Sequence, residues 1–93
     1  MSESVTVRTS VTLINKNGLH ARPAHLFVQA ANKFTAELLV GRDGVESVNG
    51  KSIMGIMMLA AECGTTLELV SQGADANEQI AALRELIESR FDE

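Results

Sequence analysis

Residues 5–31, VTVRTSVTLINKNGLHARPAHLFVQAA, change their hydrophobic period once, and this change predicts three consecutive elements. Residues 5–13 alternate β-branched or apolar residues with polar ones, which indicates a half-buried strand. Residues 15–18, NKNG, predict a loop. Residues 21–33 then predict a helix, in which Pro23 is tolerated because the first turn has no internal N–H bond to lose. The apolar face of this helix consists of Ala24, Phe27, Val28 and Ala31.

The remaining chain predicts two short strands, a helix, a fourth strand and a last helix. The strands at residues 35–41 and 45–48 flank Arg42-Asp43-Gly44, a hairpin signal in which Gly44 can take positive φ. A second helix is predicted over residues 52–61 and a fourth strand over 65–71, with Leu67 and Leu69 facing inwards.

The last helix is predicted to begin near Asp75, since Asp75 and Glu78 have the spacing of a capping box. Its apolar stripe consists of Ala76, Ile80, Leu83 and Ile87. The acidic residues Glu78, Glu85 and Glu88 are interpreted as its solvated face.

The resulting order, β-α-β-β-α-β-α, predicts a single α+β domain. Four strands alone would expose one apolar sheet face, so an antiparallel or mixed sheet with three helices on one side is expected. At 93 residues the chain is long enough for one domain and too short for two. The domain is expected to cover residues 5–93, after a disordered tail of residues 1–4.

Composition excludes several classes of protein. The formal net charge is −4 and the eight Lys and Arg residues are scattered, which argues against a nucleic-acid partner. No apolar run approaches the ~20 residues needed for membrane insertion, and the N-terminus lacks the order of a signal peptide. The single cysteine, Cys63, has no Cys or His neighbour at the spacing of metal ligands. A single cysteine cannot form an internal disulfide, which is typical of proteins in the reducing cytoplasm.

The loop at residues 17–24, NGLHARPA, carries the strongest chemical signal. Gly18 permits a sharp turn and Pro23 fixes a helix start, so His20 is expected at or just before the first helical residue. There the free backbone N–H groups and the positive end of the helix dipole favour an anion. A neutral imidazole at this place can attack phosphorus, and Arg22 can hold the phosphoryl group that it gains. The alternative from these residues alone is that His20 is a surface or capping residue.

The same segment resembles the active-site signature of HPr, the histidine-containing phosphocarrier of the bacterial phosphotransferase system. The resemblance extends from about Val5 to the final helix and implies the open-faced β-sandwich of that family, with a four-stranded antiparallel sheet. It implies that His20 is phosphorylated on Nδ1 by enzyme I using phosphoenolpyruvate, and that it passes the group to an enzyme IIA domain. Arg22 matches the family's active-site arginine, and Gly18, Ala21 and Pro23 match its active-site loop.

A second motif, residues 49–57 with the sequence NGKSIMGIM, resembles the regulatory-serine segment of the same family. By position alone Ser52 is an N-cap; the resemblance implies phosphorylation by an HPr serine kinase/phosphorylase. Apolar residues occupy every side of this predicted helix. Some of them are therefore expected to face water and form a docking patch, unless the helix is fully buried. The resemblance implies that the patch consists of Ile53, Met54 and Met57.

The leading hypothesis is therefore a monomeric, cytoplasmic phosphoryl carrier that needs no cofactor or metal and is a substrate of other enzymes. One rival is a regulatory module that signals through phosphorylated Ser52 to a transcription regulator. Another is a small enzyme, which would require a substrate pocket. The leading carrier serves sugar uptake or its regulatory branch; a nitrogen-related branch is the nearest variant, and nothing in the sequence distinguishes it. His25 is interpreted as a surface side chain and Cys63 as structural.

Overall fold

The computed structural model describes residues 5–92 as four strands and three helices with a short C-terminal turn. The expected tail at residues 1–4 lies outside the described residues. In chain order the elements are β1 (Val5–Thr12), α1 (Ala21–Ala31), β2 (Glu37–Arg42), β3 (Val45–Asn49), α2 (Ile53–Met58), β4 (Thr66–Gly73), α3 (Ala76–Glu88) and the turn Arg90–Asp92.

The strands form one sheet in the order β1-β4-β2-β3, in which every neighbouring pair is antiparallel. The α+β fold with an antiparallel sheet is thus confirmed, and the mixed-sheet alternative is wrong. Alternation along β1, β2 and β4 sends one set of side chains to the helices and the other to solvent, whereas the edge strand β3 is mostly exposed. Leu67 and Leu69 of β4 are fully buried, as predicted, whereas Thr66 and Glu68 are exposed.

The helices cover one face of the sheet with the apolar stripes that the spacing predicts. All members of both stripes are buried. Gly44 in the β2–β3 hairpin has φ +76°, the left-handed conformation expected of it. α1 and α3 therefore form helices because their apolar residues repeat at the helical period and face the surface that they cover.

Two helices end earlier than predicted, because local hydrogen bonds close their last turns. α1 ends at Ala31, since the two amides after Asn32, Lys33 N and Phe34 N, donate to carbonyls three residues back rather than four, and Asn32 Nδ2 donates to Val28 O. α2 ends at Met58 rather than near residue 61, because Ala60 donates to Met57 O and takes φ +49°. A left-handed residue directly after a helix is a common way to stop it.

The predicted capping box of α3 is wrong. Asp75 is the N-cap residue, but its side chain does not cap the helix. Its carboxylate instead accepts hydrogen bonds from Thr35 N at 2.9 Å, Thr35 Oγ1 at 3.3 Å and Ala36 N at 2.8 Å. Since these amides bind Asp75, β2 begins at Glu37, later than the predicted residue 35.

Within residues 5–92, no helix is long and apolar enough to cross a membrane. In the same range, no group of three or more His, Cys, Asp or Glu side chains is placed to hold a metal ion.

Candidate functional site

The loop between β1 and α1 is held by a small set of hydrogen bonds that fix the residues before His20. The side chain of buried Asn15 donates from Nδ2 to Gly18 O at 2.8 Å, and Gly18 N donates to Asn15 O at 3.2 Å. Leu19 N then donates to Ala61 O at 2.9 Å, and the Leu19 side chain is buried. The loop is therefore attached both to itself and to the segment that follows α2.

Gly18 approaches that segment too closely for any side chain. Its φ is +62°, and a Cβ at this position would lie 2.4 Å from Ala61 O and 2.7 Å from the Cα of Glu62. Real Cβ atoms do not come this close to backbone atoms. Only glycine allows the turn and the contact together.

His20 is the N-cap residue of α1, which is where the sequence places it. Its backbone is extended, with φ −81° and ψ −170°, and its carbonyl accepts the first intrahelical bond, from Ala24 N at 2.9 Å. The N–H groups of Ala21 and Arg22 have no intrahelical partner, and Pro23 has no N–H. The His20 side chain is exposed, at the positive end of the helix dipole.

Arg22 lies in the same helical turn, and its side chain is exposed. Among residues 5–92 no carboxylate forms an ion pair with it. Its guanidinium is thus available to an anion that reaches His20, and such charge-assisted bonds are the stronger ones in proteins.

A small cavity of about 220 Å³ lies beside His20. Ligand pockets for small molecules typically measure roughly 300–1,000 Å³. The cavity is thus smaller than such pockets and has room for a phosphoryl group. Its lining residues are Asn17, Leu19, His20, Ala60, Ala61 and Glu62.

Ser52 is the N-cap of α2, with its Oγ accepting from Gly55 N at 3.1 Å. Next to it, Lys51 Nζ donates to Phe34 O at 2.7 Å, which attaches this end of α2 to the chain after α1. Ser52 is half-buried.

The exposed face of α2 contains the three residues proposed as a docking patch. The exposed fractions are 38% for Ile53, 74% for Met54 and 44% for Met57, whereas Ile56 is fully buried. Sequence reasoning left Met58 out of the patch, although it is as exposed as Met54, at 74%. The fully buried alternative for this helix is therefore wrong.

The two other reactive residues singled out in the sequence lie at the surface. His25 is exposed on α1, as predicted. Cys63 is also exposed, so it does not contribute to the core as a structural cysteine would.

Sequence reasoning missed the residues that support the loop from outside it. The sequence predicts only that Asn15 lies in a loop, although an Asn three residues before a Gly is a known turn former and is a signal of its role. Ala61 and Glu62 carried no signal, because their proximity to Gly18 depends on the tertiary fold.

Comparison with known proteins points to one family. The family model described as the PTS HPr component phosphorylation site matches residues 7–89. The phosphocarrier protein HPr of Pseudomonas aeruginosa is 51% identical over 83 residues, covering 89% of this chain and 92% of its own. The HPr-like protein Crh of Bacillus subtilis is 48% identical over 77 residues, covering 83% and 89%.

A solved structure shows the same architecture. The crystal structure of HPr-C-His from Thermoanaerobacter tengcongensis superposes with a TM-score of 0.89 and is 48% identical. The match covers 94% of this chain and 97% of that chain. The likeness thus includes the strand, loop and helix that surround His20.

Proposed function

The chain belongs to the HPr family of phosphocarrier proteins, and we propose that His20 accepts a phosphoryl group from enzyme I and passes it to an enzyme IIA domain. The observation that carries the proposal is the position of His20, exposed at the N-cap of α1 with Arg22 in the same turn. The helix start supplies the electrostatic environment, and the imidazole supplies the nucleophile.

The transfer is a displacement at phosphorus. The unprotonated ring nitrogen of His20 forms a bond to phosphorus while the bond from phosphorus to the donor breaks, and the other ring nitrogen keeps its proton. The family resemblance assigns the reacting atom as Nδ1. Return of the group to an acceptor reverses these steps.

The negative charge on the transferred group is stabilised by groups already in place. The N–H groups of Ala21 and Arg22 and the dipole of α1 are oriented before the group arrives, so little reorganisation accompanies the transfer. The Arg22 guanidinium adds a mobile positive charge that can follow the group. These donors act equally on acceptance and donation, as a carrier requires.

We propose that the chain is a stoichiometric carrier rather than an independent enzyme. The cavity beside His20, at about 220 Å³, is small, and the neighbouring exposed methionines favour a protein surface as the other half of the site. Enzyme I and enzyme IIA domains would dock on Ile53, Met54 and Met57. The proposed carrier is monomeric and works in the cytoplasm.

Ser52 is proposed as a regulatory site for a serine kinase. A phosphate would add ~1.5–2 negative charges at the start of α2, where Gly55 N can still donate to it, so the helix is retained. The charge would lie beside the docking patch and weaken the approach of enzyme I. We expect Ser52→Asp to raise the KM for phosphorylation by enzyme I, whereas Gln72→Glu, an equal change of charge on the outer sheet face, should not. A wild-type rate for Ser52→Asp would rule out this mechanism.

The carrier function is tested with purified protein, enzyme I and labelled phosphoenolpyruvate. Wild type should acquire acid-labile, base-stable label, and His20→Ala should acquire none. His25→Ala is the control for the loss of a histidine, because His25 lies on the same helix, and it should be labelled like wild type. Absence of label on wild type, with an enzyme I that labels another HPr, would favour the rival function, a regulatory module acting through Ser52.

A further inference from the structure

We propose that Arg42 is a positioning residue for His20, acting through the chain segment that follows α2. This inference rests on the proposed carrier function of His20. Arg42 is the last residue of β2, and the sequence places it only in the hairpin signal Arg42-Asp43-Gly44. It does not line the cavity beside His20, so its effect must pass through residues that do, such as Ala60.

The first step is the hydrogen bonding of the guanidinium. Arg42 Nη1 donates to Leu59 O at 3.1 Å and to Ala60 O at 3.2 Å. These are carbonyls at the end of α2, where intrahelical donors run out and the helix dipole is negative. α2 has no basic residue in its own last turn, so Arg42 supplies the cation from the sheet.

The second step is the conformation of the segment that Arg42 holds. Ala60 takes φ +49°, a left-handed conformation that costs an alanine roughly 1–2 kcal/mol. A short helix of six residues followed by a strained residue would relax without an external tie. The two hydrogen bonds from Arg42 to the carbonyls of Leu59 and Ala60 oppose that relaxation.

The third step is the contact between this segment and the His20 loop. Ala61 O, one residue beyond the Arg42 bonds, accepts the N–H of Leu19, the residue before His20. Gly18 packs against Ala61 O and the Glu62 backbone with no space to spare. A shift of this segment would therefore move the backbone that sets the start of α1.

Arg42 lies at an irregularity in the sheet. The β2–β3 register shifts between Val40, opposite Val48, and Arg42, opposite Val45, so β3 carries one residue more than β2 over this interval. Such irregularities commonly end the pairing of two strands. Within residues 5–92 the buried Nε of Arg42 has no hydrogen-bond partner. Burial of such a group lowers the stability of the fold, so stability alone does not explain why Arg42 lies here.

The test compares Arg42→Met, Arg42→Lys and the control Arg8→Met, an exposed arginine on the outer sheet face. Amide hydrogen exchange reports the Leu19 N–H, with the β4 core amides as internal reference, and phosphorylation by enzyme I gives kcat and KM. We expect Arg42→Met to lower Leu19 protection and kcat about tenfold each, by the loss of charge-assisted hydrogen bonds. In Arg42→Met, the protection of the core amides should change little, and the KM should change less than kcat. Arg42→Lys should restore part of the lost protection and part of the lost kcat. Arg8→Met should match wild type in both measurements.

Wild-type Leu19 protection or a wild-type kcat in Arg42→Met would overturn the proposal. An equal loss of protection at Leu19 and in β4 would also overturn it, because Arg42 would then act on global stability. The exchange measurement needs no phosphoryl transfer, so failure of the carrier function would appear separately, as absence of label on wild type.

Discussion

Gly18 is the residue on which the geometry before His20 most depends. Its left-handed backbone makes the turn out of β1, and its missing side chain lets Ala61 O reach the loop. Sequence reasoning predicts the turn, because a glycine directly after Asn17 is a local signal for a turn. The close approach to Ala61 is not predictable, since these residues are distant in sequence.

We predict that Gly18→Ala destabilises the fold by roughly 2–5 kcal/mol, from left-handed backbone strain plus overpacking. Gly44→Ala is the matched control, because Gly44 also has positive φ but nothing within 4 Å of its added Cβ. It should cost only about 1 kcal/mol. Urea unfolding of both variants measures the difference, and equal losses would show that the contact with Ala61 contributes nothing.

At the scale of single elements, local pattern predicts that an element exists better than it predicts where the element ends. The stripe of α1 includes Phe27, whose burial follows from helical spacing alone. The ends depend on partners brought together by the fold: Arg42 meets the end of α2, and Asp75 meets the start of β2. The capping-box prediction failed for this reason, since the Asp75 carboxylate has better donors in Thr35 and Ala36 than in its own helix.

This interaction between elements predicts a pH dependence. The pKa of Asp75 lies below its ordinary value of 3.8, chiefly through the hydrogen bond from Thr35 N; desolvation opposes that effect, and Ala36 N lowers the pKa further. Because the folded pKa is depressed, the stabilisation is present above about pH 3.8 and is lost as pH falls through the folded value.

Asp75→Asn should therefore be less stable than wild type near neutral pH, with a gap that narrows below pH 3.8. Urea unfolding of both proteins across this range measures the gap, and titrations common to both cancel in the difference. A gap that stays constant with pH would show that the hydrogen bonds do not require the ionised carboxylate.

At the scale of the whole molecule, a largely apolar core contains one polar side chain that joins four parts of the chain. Gln79 of α3 is fully buried. Its Nε2 donates to Ala31 O and Ala36 O, each at 3.1 Å, and its Oε1 accepts from Ser71 Oγ at 2.5 Å. The ends of α1 and β4 and the start of β2 thus meet at one amide.

The sequence predicts the layered arrangement of this core but not all of its members. Gln79 lies three residues after Ala76 and four before Leu83, on the apolar side of α3, but its position in the sequence does not indicate the partners of its amide. Phe91 follows the last helix, where no periodicity applies, yet it is fully buried. Both depend on contacts between distant segments, which hydrophobic period alone does not specify.

We predict that Gln79→Leu destabilises the protein by roughly 2–4 kcal/mol, because it removes the amide partner of Ala36 O and of the Ser71 hydroxyl and leaves Ala31 O with only the bond from Phe34 N. For a domain of this size the melting temperature should fall by about 10 °C or more. Gln72→Leu is the control, since Gln72 is exposed on β4 and should change stability by less than about 0.5 kcal/mol.

A double-mutant cycle with Ser71→Ala separates the network from simple packing. If the amide holds Ser71 as the distances indicate, Ser71→Ala should cost less in the Gln79→Leu background than in wild type, by about 1 kcal/mol. Equal costs in the two backgrounds would mean that the bond between Ser71 and Gln79 adds no stability. The network lies under the sheet rather than beside His20, so its loss should lower stability while leaving phosphorylation of the folded protein unchanged.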